Sequence, residues 1–432
     1  MPTDGVGRAR RRLVTRRGRL ALAATGILAT AALAAGLFVG SRHQERPPSP
    51  RPLSQERPLV SFLARIIPPL PSPAEERVAA LPRTLAELVR GLPPEAAAAQ
   101  VLAVSPRATA DPSEVERLAR GGFGAVILRR DDWRGARAVR DFVVRLRAAV
   151  ARARTIQPLV LVVQPGGSAN SFPGLPPERP PAEFDTARTA AAAYGRAALT
   201  LRRLGVEGLI GLPADVAAGE ESVLGTRVFS SDPAEVATFV DLALRACQAA
   251  RFLCVPGSFP GIGAADRPPE AGPVSVGLGL GDLRKRDLLA FRAAVDTGAA
   301  ALLVGHALYP FENFAVPASM SRRVLVDLLR GEMRYPGIAI TDDFASPAVR
   351  DFVRPDDAAV AALRAGADLV WISEPAGSQQ AAFAAVLRAL RDGRLQRARI
   401  DQAVQRILAL KRTLGLVALP AQRGRGQGRA RR

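Results

Sequence analysis

Two adjacent carboxylates, Asp342 and Asp343, are the strongest candidates for chemistry in this sequence. They follow the apolar run 337–340 and Thr341. Carboxylates at the end of an apolar strand are costly unless they face solvent or take part in a reaction. Adjacent strand residues point to opposite sides, so only one of the two can face a given pocket. We predict an active-site role for Asp342, whereas Asp343 fits either such a role or the N-cap of a following helix.

The elements that must position these residues alternate short apolar runs with amphipathic helical segments, which is typical of parallel α/β architecture. Eight strands are predicted, at 101–104, 125–128, 159–163, 206–212, 252–255, 301–304, 337–341 and 368–372. The predicted helices include 135–153, 187–203, 233–250, 283–297, 320–332, 379–392 and 398–413. Eight strand–helix units predict a (β/α)8 barrel of the TIM type, and a doubly wound sheet is the alternative.

The active site of such a barrel lies at the carboxyl ends of its strands. Asp342 ends the seventh predicted strand and should therefore face the mouth of the barrel. The residues at the other strand ends are Ser105, Arg129, Gln164, Asp215, Ser258, His306 and Glu374.

The N-terminus carries a membrane-targeting pattern. Residues 20–40 contain no charge, and seven Arg precede them. This stretch is long enough to span the ~30 Å hydrocarbon core, and the Arg excess holds the N-terminus in the cytoplasm. We predict one transmembrane helix that anchors an extracytoplasmic domain at the cell membrane. The alternative is a signal segment, and its cleavage would release a secreted protein.

Composition divides the chain into further segments. Residues 1–19 form a basic cytoplasmic segment, and 41–75 form a Pro- and Arg-rich linker. Residues 76–417 are apolar enough for one large core, which we assign to the barrel. The Arg- and Gly-rich tail, 418–432, is predicted to be disordered.

Charge and rare residues exclude several classes of function. The net charge is +20, but aromatics make up only 5% and no basic stripe is interleaved with them, so nucleic-acid binding is not predicted. A mild attraction to anionic envelope polymers fits the charge better. With two His and two Cys there is no metal-ligand cluster, and no cofactor is predicted. Cys247 and Cys254 form either a disulfide or two buried thiols.

Four short motifs carry a family resemblance. Residues 225–233 read Gly-Thr-Arg-Val-Phe-Ser-Ser-Asp-Pro, 258–261 read Ser-Phe-Pro-Gly, 304–310 read Val-Gly-His-Ala-Leu-Tyr-Pro, and 340–343 read Ile-Thr-Asp-Asp. In this order they resemble glycoside hydrolase family 3, in particular its single-domain β-N-acetylhexosaminidases, which act on peptidoglycan fragments. The closing helix of that family resembles 406–416, so the resemblance covers about 95–417.

The resemblance implies roles for individual residues. In the family's Ser/Thr-Asp-Asp motif the first Asp is the nucleophile of a retaining reaction, which corresponds to Asp342. Substrate contacts are implied for the residues at the matching motif positions. These are Arg227, His306, Ser258 and Gln164.

The sequence departs from the family at the proton donor. The acetylhexosaminidases carry a His–Asp dyad on the loop after the fifth strand, whereas 262–270 read Ile-Gly-Ala-Ala-Asp-Arg-Pro-Pro-Glu, without His. Asp266 or Glu270 is therefore the predicted acid/base, with Glu374 as a further candidate. The family's Lys-His pair reads Gly-Ser at 257–258, and its Asp-Gln-Glu-Gly-Gly-Arg motif reads Val-Gln-Pro-Gly-Gly-Ser at 163–168.

Two functions follow from these features. The first is a membrane-anchored, β-N-acetylhexosaminidase-like hydrolase that cleaves O-glycosyl bonds of cell-wall glycan. The second is a catalytically inactive barrel that binds peptidoglycan or an envelope partner, because loss of a general acid costs about 10²–10⁴-fold in rate. The sequence specifies neither the sugar, the linkage nor the oligomeric state.

Overall fold

The computed structural model describes residues 84–106, 111–129, 135–219, 222–350, 353–373 and 375–418. The predicted segments 1–19, 20–40 and 41–75 lie outside these ranges, as do Glu374 and the tail from 419. In the part of the chain that is described, no helix is both long and apolar enough to cross a membrane.

Eight parallel strands form the centre of the fold. Hydrogen-bonded neighbours follow the order β5-β4-β3-β2-β1-β8-β7-β6. The strands are β1 Leu102–Val104, β2 Ala125–Leu128, β3 Leu159–Val163, β4 Gly208–Pro213, β5 Leu253–Gly257, β6 Ala301–Val304, β7 Ile338–Asp343 and β8 Leu369–Ile372.

Phe259 closes most of the gap between the two edge strands, β5 and β6. Its N–H donates to the carbonyl of Leu303 at 2.8 Å, and its carbonyl accepts from the N–H of Gly305 at 3.0 Å. The sheet is thus a nearly closed barrel, so the predicted (β/α)8 architecture is confirmed over the doubly wound alternative.

The strands form where the sequence has continuous apolar runs. Every residue of β2, and the first four of β3, are fully buried. Strands that are covered on both faces, by helices outside and by packed side chains inside, have no polar alternation. All eight predicted strands are therefore present, with ends that differ from the prediction by at most two residues.

The helices surround this barrel. They are α1 Leu85–Arg90, α2 Pro94–Gln100, α3 Pro112–Gly121, α4 Gly135–Ala153, α5 Ala187–Arg203, α6 Pro233–Ala249, α7 Leu280–Lys285, α8 Asp287–Asp296, α9 Arg323–Glu332 (a π-helix), α10 Pro347–Arg350, α11 Pro355–Ala365, α12 Ala376–Arg391 and α13 Arg397–Thr413.

Local signals explain where helices begin and break. Asp232 caps α6, because its carboxylate accepts the N–H of Ala234 at 2.7 Å, and Pro233 supplies the first helical residue. The predicted helix 283–297 is instead split into α7 and α8. Arg286 leaves helical geometry there, with φ −123° and ψ −91°.

A disulfide joins Cys247 to Cys254. It connects the last turn of α6 to the beginning of β5, which follows it in the chain. The structure therefore selects the disulfide from the two alternatives that the sequence left open.

Candidate active site

Asp342 lies near the end of β7, at the mouth of the barrel. It is half-buried, and its Oδ1 accepts the N–H of Asp343 at 2.8 Å. Burial raises the pKa of Asp342, while that N–H and the positive charge of Arg129 oppose the rise. The negative charge of Glu270 adds to it. Asp342 is thus a carboxylate with both a cation and a second carboxylate in its electrostatic surroundings.

Asp343 connects strands. Its Oδ2 accepts from Arg129 Nη1 at 2.8 Å, and its Oδ1 accepts the N–H groups of Ser373 at 2.9 Å and Ala345 at 3.0 Å. The bond from Ala345 is local and resembles a cap. The other two bonds join β7 to the ends of β2 and β8, so capping is the smaller part of its role.

Arg129 is a site residue that sequence reasoning missed. It lies just after β2, and its Nη1 also donates to Ser373 Oγ at 3.0 Å. Its guanidinium sits 5.7 Å from the ring centroid of Trp371, in a cation–π arrangement. Its position at a strand end was the only available signal, because its partners come from β7 and β8, more than 200 residues away.

The two predicted acid/base candidates, Asp266 and Glu270, lie on the loop after β5 and make different contacts. Asp266 is engaged by its own loop, where Oδ1 accepts the N–H of Ser275 at 2.8 Å and Oδ2 lies 3.2 Å from Arg267 Nη2. Glu270 is the carboxylate whose charge reaches Asp342. Of these two carboxylates, only Glu270 contributes to the raised pKa of Asp342, and the acid/base assignment stays a prediction.

Arg227, predicted to contact the sugar, instead binds Glu270. Its Nη1 lies 2.6 Å from Glu270 Oε1, and its Nε donates to the carbonyl of Leu224 at 3.2 Å. The predicted proton donor and the predicted sugar ligand thus form one ion pair at the mouth. To reach a leaving oxygen, Glu270 would have to release this guanidinium.

His306 is buried next to the end of β7, the strand that carries the nucleophile candidate Asp342. Its Nδ1 lies 2.7 Å from Ser319 Oγ, and its ring centroid lies 4.7 Å from that of Phe344. Burial lowers the pKa of His306 to about 4, although the carbonyl and charge of Asp343 oppose this. The imidazole is therefore neutral near pH 7. Its Nε2 is buried and has no hydrogen-bond partner among the described residues.

Gln164 and Ser258 have different surroundings. The Gln164 side chain is fully buried, and its amide bonds the backbone of the following loop, donating to the carbonyl of Leu175 at 3.0 Å and accepting the N–H of Phe172 at 3.2 Å. Those bonds occupy the group that was predicted to reach the sugar. Ser258 is half-buried next to Gly305, the residue before His306, and its sugar contact stays a prediction.

Asp215, at the end of β4, fixes the beginning of the loop after β5. Its two oxygens accept the N–H groups of Ser258 at 2.9 Å and Ile262 at 2.8 Å. Burial raises the pKa of Asp215 to about 7, and the nearby negative charge of Asp287 contributes. Burial likewise raises the pKa of Asp287 to about 6. The sequence placed Asp215 at a strand end but gave no sign of this bracing role.

The mouth therefore offers a nucleophilic or charge-stabilising carboxylate, a second carboxylate and two guanidiniums. Across the described ranges, no group of three or more His, Cys, Asp or Glu could hold a metal ion. This set of groups is suited to an electrophile that develops positive charge, such as a glycosyl carbon.

Comparisons with known proteins agree with this geometry. The Glycosyl hydrolase family 3 N terminal domain matches residues 95–410. A β-hexosaminidase of Nitrosomonas eutropha is 29% identical over 237 residues, which is 52% of this chain and 68% of that protein.

Two solved structures share the fold. A glycoside hydrolase family 3 β-N-acetylglucosaminidase from Paenibacillus superposes with a TM-score of 0.71 at 26% identity, over 77% of this chain and 65% of that chain. A glycosyl hydrolase family 3 member from Mycobacterium smegmatis gives a TM-score of 0.68 at 27% identity, over 76% and 98%. The present chain thus spans just under two thirds of the Paenibacillus protein and nearly all of the mycobacterial one.

Proposed function

Because this chain belongs to glycosyl hydrolase family 3, we propose that it hydrolyses β-N-acetylhexosaminides of cell-wall glycan with retention of configuration. The observation that carries the proposal is Asp342 at the carboxyl end of β7, with Arg129 and Glu270 in its electrostatic surroundings. The similarity to the Nitrosomonas β-hexosaminidase and the Paenibacillus β-N-acetylglucosaminidase supports the substrate class.

In the proposed mechanism, Asp342 attacks the anomeric carbon and forms a covalent glycosyl-enzyme intermediate. The bond to the aglycone breaks as its oxygen takes a proton from Glu270. Glu270 then accepts a proton from the water that displaces Asp342 from the anomeric carbon, so the configuration is inverted twice and retained overall. The N–H of Asp343 and the charge of Arg129 both favour the ionised form that a nucleophile requires. Glu270 is the proposed proton donor to the leaving oxygen, since Asp266 is held by its own loop.

The ion pair between Arg227 and Glu270 sets a limit on this mechanism. Glu270 can donate a proton only after the guanidinium moves to another partner, such as a sugar hydroxyl or carboxylate. Leaving groups that need little protonation should therefore be cleaved far better than natural sugars.

The test uses the purified full chain and a panel of aryl β-glycosides that includes the N-acetylglucosaminide. Asp342→Asn should lower kcat/KM by at least about 10⁴-fold, because the covalent path is lost. Its thermal unfolding should match the wild type, since the carboxylate is half-buried and has no ion pair with any residue that the structure describes. Asp232→Asn is the matched control, because Asn also caps helices, and its activity should be unchanged.

A second candidate function is glycan binding without catalysis. The observation that favours it is the loop 262–270, which lacks His and whose Glu270 is held by Arg227. If the wild type and Asp342→Asn were equally inert on every aryl glycoside while both sedimented with peptidoglycan, binding would replace hydrolysis as the proposal.

We also propose that residues 20–40 anchor the protein in the cell membrane with the barrel on the extracytoplasmic side. The uncharged stretch after seven Arg supports this topology. Protease added outside intact cells should remove the barrel from the membrane fraction. A soluble cytoplasmic pool that retains residues 1–40 would contradict the anchor, and a secreted pool without them would favour the cleaved signal.

A further inference from the structure

A cleft at the end of the barrel opposite the mouth is strongly basic. Tyr335 and Gly366, which precede β7 and β8, line it, and the strands are parallel, so it lies at their amino ends. Its cavity measures about 530 Å³, and no carboxylate lines it. We call this surface the basic cleft. It is lined by six arginines: Arg322, Arg330, Arg334, Arg364, Arg399 and Arg406.

Three of these arginines converge on one carboxylate. Asp368 is fully buried, and its oxygens lie 2.6 Å from Arg330 Nη2, 2.9 Å from Arg399 Nη2 and 3.0 Å from Arg406 Nη1. Three guanidiniums against one carboxylate leave an excess of two positive charges in the inner half of the cleft.

The other three arginines form its outer half. Arg322, Arg334 and Arg364 are exposed. Among the described residues, the structure records no hydrogen-bond or ion-pair partner for their side chains. They adjoin the inner excess charge, so the whole cleft concentrates positive potential around one cavity.

We propose that the basic cleft binds a phosphate group, which a soluble phosphate ester or an anionic lipid headgroup would carry. Guanidiniums present planar pairs of N–H donors that match phosphate oxygens, and several of them around one cavity match its multiple oxygens. Arg399 also has a buried Nη1 without an acceptor, so the cleft holds a donor that a ligand could satisfy.

Electrostatics inside the cleft support a bound anion. Burial lowers the pKa of Arg330, and repulsion from Arg406 and Arg399 lowers it further, against the attraction of Asp368. A phosphate among these side chains would offset that repulsion. The proposal is independent of hydrolysis at the mouth, since the two sites lie at opposite ends of the barrel.

Phosphate binding to the purified full chain, measured by equilibrium dialysis with labelled inorganic phosphate, tests the proposal. The variant Arg322→Gln/Arg334→Gln/Arg364→Gln removes the three charges of the outer half. These side chains have no hydrogen-bond or ion-pair partner among the described residues. The variant should weaken binding by at least about tenfold, as expected when charge-assisted hydrogen bonds are lost. The matched control is Arg140→Gln/Arg188→Gln/Arg203→Gln, which removes the same charge from exposed positions of α4 and α5. It should change affinity by less than about twofold, because charges beyond ~10 Å are screened at 0.1 M salt.

Three outcomes would overturn the site: no binding by the wild type at 0.1 M salt, equal weakening in both variants, or equal displacement of phosphate by acetate at matched ionic strength. Asp342→Asn should bind phosphate as the wild type does, which separates this test from that of the hydrolase. Competition identifies the source of the phosphate. Displacement by phosphatidylglycerol vesicles but not by phosphatidylcholine vesicles supports a lipid headgroup, and displacement by glycerol 3-phosphate alone supports a soluble ester.

Discussion

The two ends of the barrel use the same residue types in opposite proportions. At the mouth, Asp342, Asp343 and Glu270 outnumber the guanidiniums of Arg129 and Arg227. In the basic cleft, six arginines surround the single carboxylate of Asp368. An excess of carboxylates suits a reaction that develops positive charge at a sugar carbon, whereas an excess of guanidiniums suits an anionic ligand. The two ends of one scaffold thus differ in the sign of their excess charge, which matches the proposed hydrolysis at the mouth and the proposed anion binding in the basic cleft.

The largest expected effect on stability concerns Asp368, the carboxylate of the basic cleft. Asp368→Asn should lower the free energy of unfolding by about 3 kcal/mol, because it leaves three converging guanidiniums without their counter-charge. Denaturant titration measures this. Asp392→Asn, at an exposed ion pair with Arg394, should have a much smaller effect, because solvent screens that pair. Equal losses of stability in Asp368→Asn and Asp392→Asn would contradict this role of Asp368 in the basic cleft.

A smaller effect should separate the two carboxylates of the loop after β5. If Glu270 donates the proton, Glu270→Gln should slow cleavage of glycosides with poor leaving groups by about 10²-fold. Cleavage of activated aryl glycosides should stay within about threefold, because those leaving groups need little protonation. Asp266→Asn should show no such dependence on the leaving group. The dependence is measured as kcat/KM against the pKa of the leaving phenol, and a dependence in Asp266→Asn alone would reverse the assignment.

A further effect depends on pH and concerns Asp215, the carboxylate that braces the mouth. With its pKa raised from 3.8 to about 7, native Asp215 keeps a proton between about pH 4 and 7 that the unfolded chain has lost. Its contribution to stability therefore falls as pH rises through that window, by at most about 1.4 kcal/mol per pH unit. Asp215→Asn has no such proton, and so the stability of the wild type relative to this variant should decrease from pH 4 to 7.

The measurement for Asp215 is chemical denaturation of both proteins at several pH values. His306, whose pKa is lowered to about 4, is present in both proteins and largely cancels in the difference. Asp287, whose pKa is raised to about 6, interacts electrostatically with Asp215, so the measured difference includes the coupling of these two carboxylates. A stability difference between the wild type and Asp215→Asn that did not change from pH 4 to 7 would contradict the burial of a protonated Asp215.

The fold was predictable because its signals are local. Each buried strand is a short apolar run, and the helices Gly135–Ala153 and Ala187–Arg203 begin and end where the sequence pattern predicts. The split at Arg286 was missed, since an amphipathic pattern continues across a residue that leaves helical geometry. The position of Asp342 at the mouth followed from counting strands, because parallel strands place all their carboxyl ends on one side.

The partners of the site residues were not predictable in the same way. Arg129 meets Asp343 across 214 residues of chain, and Arg227 meets Glu270 across 43. The sequence offered Asp266 and Glu270 as equivalent. Only the path of the loop shows that Asp266 bonds its own loop and that Glu270 pairs with Arg227.

The sequence by itself determined the barrel, the order of its strands and the carboxylate at the end of the seventh. Hydrophobic periodicity and chain order are sufficient for these, because burial acts on each short run separately. Only the tertiary structure decided which charges meet, both at the mouth and among the six arginines of the basic cleft. Ion pairs depend on separations of a few ångströms between distant segments, and those separations exist only once the barrel has brought the segments together.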